Sequence, residues 1–135
     1  HDWRTEDLEF LMSKADCDVW ATRMMAFQKT YEVLMDIDRS KEDTLANTAA
    51  IIGSFAAHLE DPHVKISSFL VGCMPDFVDQ YPQLCAKHSQ VILRRCLKGL
   101  AECKTQQTKD QLDRLLGCCQ KYLSLDLMPH LLQFL

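Results

Sequence analysis

The sequence predicts an all-α protein, and three observations lead to this fold class. Apolar residues recur at intervals of three and four in the long segments, which is the period of an amphipathic helix. No segment alternates apolar and polar residues in the way of a half-exposed strand, and no Asn-Gly or Asp-Gly hairpin turn occurs. Capping and turn residues divide the periodic segments into six helices, in three consecutive pairs, followed by the start of a seventh. Pairs of about 30–45 residues are typical of HEAT-like antiparallel hairpins stacked into a short α-solenoid, and a compact helical bundle is the alternative.

The first predicted pair covers about residues 5–36. A threonine followed by two acidic residues predicts a helix that begins at Thr5 and stops near Lys14. Two aspartates precede the second helix and can cap its free backbone N–H groups. The apolar face predicted for this second helix consists of Trp20, Met24, Phe27, Tyr31 and Leu34.

The second predicted pair covers about residues 43–80. Its first helix opens at Asp43 or Thr44, and its apolar face is expected to contain Leu45, Ala49, Ile52, Ala56 and Leu59. Asp61-Pro62 predicts the start of the next helix, with the aspartate as the cap and the proline at the first helical position. Pro75 lies inside this helix and is expected to kink or break it, because proline removes one backbone hydrogen bond.

The third predicted pair covers about residues 83–124. Its first helix is expected to run from about Gln83 to Glu102, and its second follows residues 104–108. A last amphipathic segment at residues 126–135 would begin a further repeat. Because that segment would leave an open stacking face, self-association through this C-terminal helix is a possibility.

Composition limits the classes of function. The chain has 135 residues, of which 47% are hydrophobic and 25% charged, as expected of one soluble globular unit. No apolar run is long enough to span a membrane, and a net charge of −4 argues against broad binding to nucleic acid or anionic membrane. The chain opens with His1, and we therefore expect it to be a piece of a longer protein.

The cysteine pattern predicts free thiols. Seven cysteines are an odd number, and none forms a CxxC motif. Most of them fall on apolar faces of predicted helices, where a free cysteine behaves as a small hydrophobic residue. This favours a reducing, intracellular setting over a disulfide framework.

Neither an enzyme nor a metal site is indicated. His58, Glu60, Asp61 and His63 form a local group of possible ligands. Pro62 separates the two histidines, which favours an ordinary hydrogen-bonded turn over a zinc site. Cys118 and Cys119 point about 100° apart on a helix, with no base nearby to activate either thiol. We therefore expect no catalytic residue, no metal and no cofactor.

The turns inside the three pairs are the candidate functional region. If the helices pair in order, residues 14–19, 59–65 and 103–109 emerge along one edge. An aromatic anchor followed by spaced cations suits the acidic surface of another protein. For Trp20 the alternative is an ordinary core residue, and for the lysines it is a solvated loop. The candidate binding residues on this edge are Trp20, Arg23, His63, Val64, Lys65, Lys104 and Lys109.

Three stretches of the chain resemble the TOG domains of microtubule polymerases and their CLASP relatives. Residues 5–34 resemble the family's opening, which has a short acidic helix, a W-x-x-R motif and a helix with a tyrosine near its middle. Residues 59–70 (LEDPHVKISSFL) resemble the second-repeat turn that begins with aspartate. Residues 104–109 (KTQQTK) resemble a third-repeat turn rich in lysine and threonine.

This resemblance implies a HEAT-repeat module that binds αβ-tubulin or microtubule ends through the turns within its repeats. It implies that Trp20 and Arg23 contact β-tubulin, and that Val64 and Lys65 form a second contact. Lys104 and Lys109 would meet acidic groups lower on the dimer. The implied protein is a cytoplasmic regulator of microtubule dynamics or nucleation, located on the cytoskeleton at plus ends, centrosome or spindle.

A second hypothesis keeps the helical fold and changes the binding surface. A HEAT-like adaptor would bind another protein through its helix-lined surface, where Arg94, Arg95 and Lys98 lie on the predicted polar side of one helix. Such an adaptor would keep its partner after Trp20→Ala and lose it on changes at these three cations.

Overall fold

The computed structural model describes residues 5–36 and 42–123. Within these two ranges the chain forms seven α-helices and no β-strand, which confirms the all-α prediction for this part of the protein. The segment predicted at residues 126–135 lies outside the described residues. The helices are α1 (Thr5–Met12), α2 (Trp20–Asp36), α3 (Glu42–Ala57), α4 (Val64–Gln80), α5 (Pro82–Ala86), α6 (Ser89–Glu102) and α7 (Gln106–Tyr122).

The helices contact one another in a regular order. Helix α1 packs against α2 and α3, and α3 packs in turn against α4, α5 and α6. Helix α2 packs against α4, α4 packs against α7, and α6 packs against α7. Two series of neighbours therefore run through the described residues, one through α1, α3 and α6 and the other through α2, α4 and α7.

Three phenylalanines join the middle helices. Phe27 of α2, Phe55 of α3 and Phe77 of α4 are fully buried. The rings of Phe27 and Phe55 meet edge to face with centroids 5.1 Å apart, and those of Phe55 and Phe77 do the same at 5.1 Å. Edge-to-face pairs add about 0.5–1.5 kcal/mol each to the free energy that burial of the rings provides. These contacts hold α2, α3 and α4 around one core.

The buried face of α2 differs from the predicted one. The buried residues are Ala26, Phe27, Thr30, Val33 and Leu34. Phe27 and Leu34 belong to the predicted stripe, whereas Met24 and Tyr31 are only half-buried and Trp20 is 39% exposed. The helix enters the core only after its first two turns, so an apolar residue in the first turn lies at the rim.

Helix α4 starts and continues differently from the prediction. Its N-cap is His63, whose Nδ1 accepts a hydrogen bond from the Lys65 N–H, and Pro62 precedes the helix instead of occupying its first position. Pro75 does not break the helix, which extends to Gln80. Because Met74, Phe77 and Val78 are buried, packing around the proline offsets the missing backbone hydrogen bond.

The helix predicted from Gln83 to Glu102 is two helices. Helix α5 ends at Ala86 and α6 begins at Ser89, with His88 between them at φ −113° and ψ 17°. Residues 87–90 carry no apolar side chain, and the ring of His88 lies next to Gly53 of α3. The break allows both segments to contact α3.

Candidate functional site

Three turns connect the paired helices: turn 1 (residues 13–19), turn 2 (residues 58–63) and turn 3 (residues 103–105). Turn 2 is organised around Asp61, whose side chain is 1% exposed. Its carboxylate accepts hydrogen bonds from Arg23 Nε at 3.1 Å and Nη2 at 3.0 Å, and from the His63 N–H at 2.8 Å. His58 Nδ1 lies 3.1 Å from the same carboxylate.

The hydrogen bonds to Asp61 outweigh the effect of its burial. Burial on its own would raise the pKa of this carboxyl group, because it disfavours the charged form. The Arg23 guanidinium, the His63 N–H and His58 stabilise the carboxylate and lower its pKa to about 2. Asp61 is therefore a buried anion that turn 2 needs in its charged form.

Arg23 connects turn 1 to turn 2. Besides the two bonds to Asp61, its Nη1 donates to the carbonyl oxygens of Cys17 at 2.8 Å and Asp18 at 3.1 Å. The side chain is only 13% exposed. From the sequence we expected Arg23 to contact a partner. In the structure its guanidinium is hydrogen-bonded to Asp61 and to two carbonyl oxygens of turn 1. Arg23 therefore holds turn 1 and turn 2 together.

His58 adds a second link between the same turns. Its Nε2 lies 2.9 Å from Asp16 in turn 1, while its Nδ1 faces Asp61. The ring also packs against Phe27, with centroids 5.1 Å apart. Among the described residues no group of three histidine, cysteine or acidic side chains is placed to hold a metal ion. The His58–Asp61 region is thus a hydrogen-bonded turn in this structure.

Trp20 lies at the surface where turns 1 and 2 meet. Its ring is stacked on His63, with centroids 3.8 Å apart and planes 14° from parallel, and Lys65 Nζ lies 5.7 Å from the ring centroid. Stacking holds one face of the indole against turn 2, while 39% of the residue stays exposed. Trp20 is not a core residue, and the stack on His63 fixes the position of its ring.

Two further candidate residues, Val64 and Lys65, lie in the first turn of α4. Val64 is 71% exposed, and Lys65 is exposed beside it. Both line an open groove that also includes Gln107 and Thr108 of α7, which places turn 3 next to the start of α4. We call the surface formed by Trp20, His63, Val64 and Lys65, together with Lys104 in turn 3, the turn edge.

The two lysines predicted near turn 3 differ from each other. Lys104 is exposed in turn 3. Lys109 lies one turn into α7, where its Nζ donates to Asp113 at 2.7 Å. An exposed pair of this kind contributes little to stability, and a partner carboxylate can compete with Asp113 for the ammonium.

Some features of the edge could not be found from the sequence. Asp61 was identified there as a helix cap, and its pairing with Arg23 across 38 residues leaves no signal in local spacing. Met24, which the sequence places on the apolar face of its helix, lines the groove beside the edge together with Phe69.

Two of the three cations on the surface expected for an adaptor have hydrogen-bond partners within the protein. Arg94 Nε donates to Glu60 at 2.9 Å, and Arg95 Nε donates to the Leu59 carbonyl and to Ser67 Oγ. Arg95 is engaged inside the protein, whereas the Arg94–Glu60 pair is exposed and, like Lys109–Asp113, contributes little to stability.

Comparisons of the chain with protein-family models, with curated proteins and with solved structures found no match in any of the three. None of the described helices combines the length and the hydropathy that crossing a membrane requires.

Proposed function

We propose that this chain is a non-enzymatic module that binds αβ-tubulin through the turn edge, as part of a larger cytoplasmic regulator of microtubule dynamics or nucleation. The observation that carries the proposal is the position of Trp20. Its indole is held on His63, is partly exposed, and lies beside the exposed Val64 and Lys65. The resemblance of the three turn sequences to TOG domains supplies the identity of the partner.

The order of helix contacts supports the HEAT-like α-solenoid that this function requires. In such a stack each hairpin lies beside the next, so first helices contact first helices and second helices contact second helices. The series α1–α3–α6 and α2–α4–α7 follow that order, with α5 as a short extension before α6. Contacts between turns 1 and 2, through Arg23, Asp61 and His58, support a common edge.

The chemistry of the turn edge suits a large acidic protein surface. The Trp20 ring offers apolar area at low entropic cost because the stack on His63 already restricts it. Lys65 and Lys104 provide exposed positive charge, which speeds association and sets the register of a negatively charged partner. We therefore expect the complex to weaken as the salt concentration rises.

The proposal is tested by co-elution of the chain with purified αβ-tubulin at low salt. Trp20→Ala should weaken binding by about tenfold or more, as expected of an interface anchor. Phe10→Ala is the matched control, because Phe10 is an aromatic residue of α1 with 65% exposure that does not belong to the turn edge. Lys104→Glu should also weaken binding, whereas Lys29→Glu reverses an exposed charge on α2 and should not.

Circular dichroism of each variant separates loss of binding from loss of fold. Retained co-elution in folded Trp20→Ala and Lys104→Glu would contradict the proposed edge. Equal losses in the edge variants and in their controls would contradict it as well, because the effect would then not depend on the location of the residue.

A further inference from the structure

A groove lies between the first two turns of α2, α4 and α7, beside the turn edge. It is open to solvent and has a volume of about 470 Å³. That volume is within the range of about 300–1,000 Å³ typical of sites that accept small molecules or side chains of a partner. Residues from three helices form it, so its shape depends on the tertiary structure and not on one flexible loop.

The walls of the groove combine apolar side chains with one cation. Met24, Val64 and Phe69 supply the apolar part, and Lys65 supplies the positive charge. The other lining residues are neutral and polar, and no carboxylate is among them. An occupant that is apolar and negatively charged therefore meets favourable contacts and no like charge from the lining.

One wall of the groove is fixed by a contact between helices. Gln111 Nε2 of α7 donates to the Ser68 carbonyl of α4 at 3.0 Å. The same nitrogen would lie 2.8 Å from a Cβ placed on Gly72, so the glycine permits this close approach. The groove is consequently formed before binding, which lowers the entropic cost of association.

We propose that this groove binds a short acidic segment of the protein partner, with one large aliphatic side chain in the apolar part and a neighbouring carboxylate on Lys65. The inference rests on the proposed function, because Val64 and Lys65 belong both to the groove and to the turn edge. The groove would add a contact with α2 and α7 to the contacts that the turn edge makes with the partner. Val64, which is 71% exposed, would be covered by the occupant.

The test uses fluorescence anisotropy at low salt with a short, labelled, glutamate-rich peptide that carries one central leucine. Two matched peptides replace the leucine by serine or all glutamates by lysine. The leucine-containing acidic peptide should bind, the serine peptide should bind at least about threefold more weakly, and the lysine peptide should not bind. Equal binding of the leucine and serine peptides would overturn the proposal, because the apolar part would then have no role.

Charge changes at Gln107 test the location of the peptide. This side chain is exposed, lines the groove and lies in the first turn of α7, so its replacement should leave the fold intact. Gln107→Glu should weaken binding of the acidic peptide by about three- to fivefold, and Gln107→Lys should strengthen it. Gln83→Glu adds the same charge to the first turn of α5 and should change little. Unchanged peptide affinities in both Gln107 variants would overturn the assignment of the peptide to this groove.

The two proposals fail in different ways. Trp20 does not line the groove, so Trp20→Ala should reduce tubulin binding by about tenfold or more and peptide binding by a smaller factor, because Lys65 beside the ring keeps its charge. Tubulin binding without peptide binding would overturn the groove and leave the turn edge standing. Peptide binding without tubulin binding would reject αβ-tubulin as the partner and support a different acidic protein.

Discussion

Asp61 links two turns through one carboxylate. Its oxygens accept hydrogen bonds from Arg23 and from the His63 N–H, while Arg23 also holds two carbonyl oxygens of turn 1. Because the Asp61 side chain is almost fully buried, removal of its charge leaves the Arg23 guanidinium without its counter-ion. The orientation of the Trp20 ring depends on this pair, since His63 lies two residues after Asp61 and stacks on the indole.

We predict that Asp61 makes the protein sensitive to acid. The pKa of Asp61 is lowered from 3.8 to about 2 in the folded protein, so the carboxylate stabilises the fold above about pH 4. This contribution, about 2 kcal/mol, should be lost as the pH falls from about 4 to about 2. Asp61→Asn should lower the free energy of unfolding at neutral pH by about 2–4 kcal/mol and remove this part of the acid dependence. Urea unfolding at several pH values measures both effects, and parallel pH profiles for the two proteins would contradict the prediction.

In the hairpin formed by α6 and α7, a capping residue determines where α7 begins, and a glycine allows the two helices to pack closely. Thr105 caps α7 by accepting a hydrogen bond from the Thr108 N–H at 3.2 Å. On α6, a Cβ placed on Gly99 would lie 2.8 and 3.0 Å from the methyl carbons of Leu112, which is buried in α7. The same Cβ would also meet Arg95 Nη1, so a larger residue at this position would have to displace the ends of both side chains.

Gly99→Ala and Gly117→Ala should have opposite effects on stability. Alanine favours a helix over glycine by about 1 kcal/mol, and a Cβ on Gly117 would meet no atom within 4 Å. Gly117→Ala should therefore stabilise the protein by up to about 1 kcal/mol. In Gly99→Ala the clash with buried Leu112 should cost about 1–3 kcal/mol, which exceeds the gain in helix propensity. Thermal unfolding of both variants measures the difference, and stabilisation by Gly99→Ala would show that α6 and α7 are farther apart than described.

At the scale of the whole molecule, the positions of the cysteines show that the described helices share one hydrophobic core. All seven are free thiols. Four are buried in the same hydrophobic cluster as the three phenylalanines: Cys73, Cys85, Cys96 and Cys119. Burial raises the pKa of Cys85, Cys96 and Cys119 to about 12, so these thiols are uncharged as well as inaccessible. The core formed by the described residues therefore contains no reactive thiol.

Iodoacetamide should therefore label the cysteines in two groups. Cys17, Cys103 and Cys118 are partly exposed and should react in the native protein. The four buried thiols should react only as fast as the protein unfolds, because the thiolate is the reactive form and the core excludes the reagent. Mass spectrometry of the labelled peptides over time measures both groups. Rapid labelling of Cys85 or Cys96 without denaturant would contradict the described core.

The local pattern of the sequence determined the helical class, the positions of the turns and the placement of Trp20 at a helix entrance. These properties depend on neighbours within one or two helical turns, which spacing and capping residues record. The same reasoning was wrong about the continuous helix from Gln83 to Glu102, and Pro75, which was expected to kink or break its helix, does not break it. In both cases packing against other helices decided whether the backbone continued.

Only the tertiary structure decided what the turn edge consists of. Arg23 and Asp61 are 38 residues apart, and His58 and Asp16 are 42 residues apart, so no periodicity connects them. The stack of Trp20 on His63 likewise requires turns 1 and 2 to be adjacent in space. The sequence determined which side chains stand in the turns, because capping and periodicity are local. Folding determined which of them contact one another and which remain exposed to solvent, because burial and ion pairing depend on residues distant in the chain.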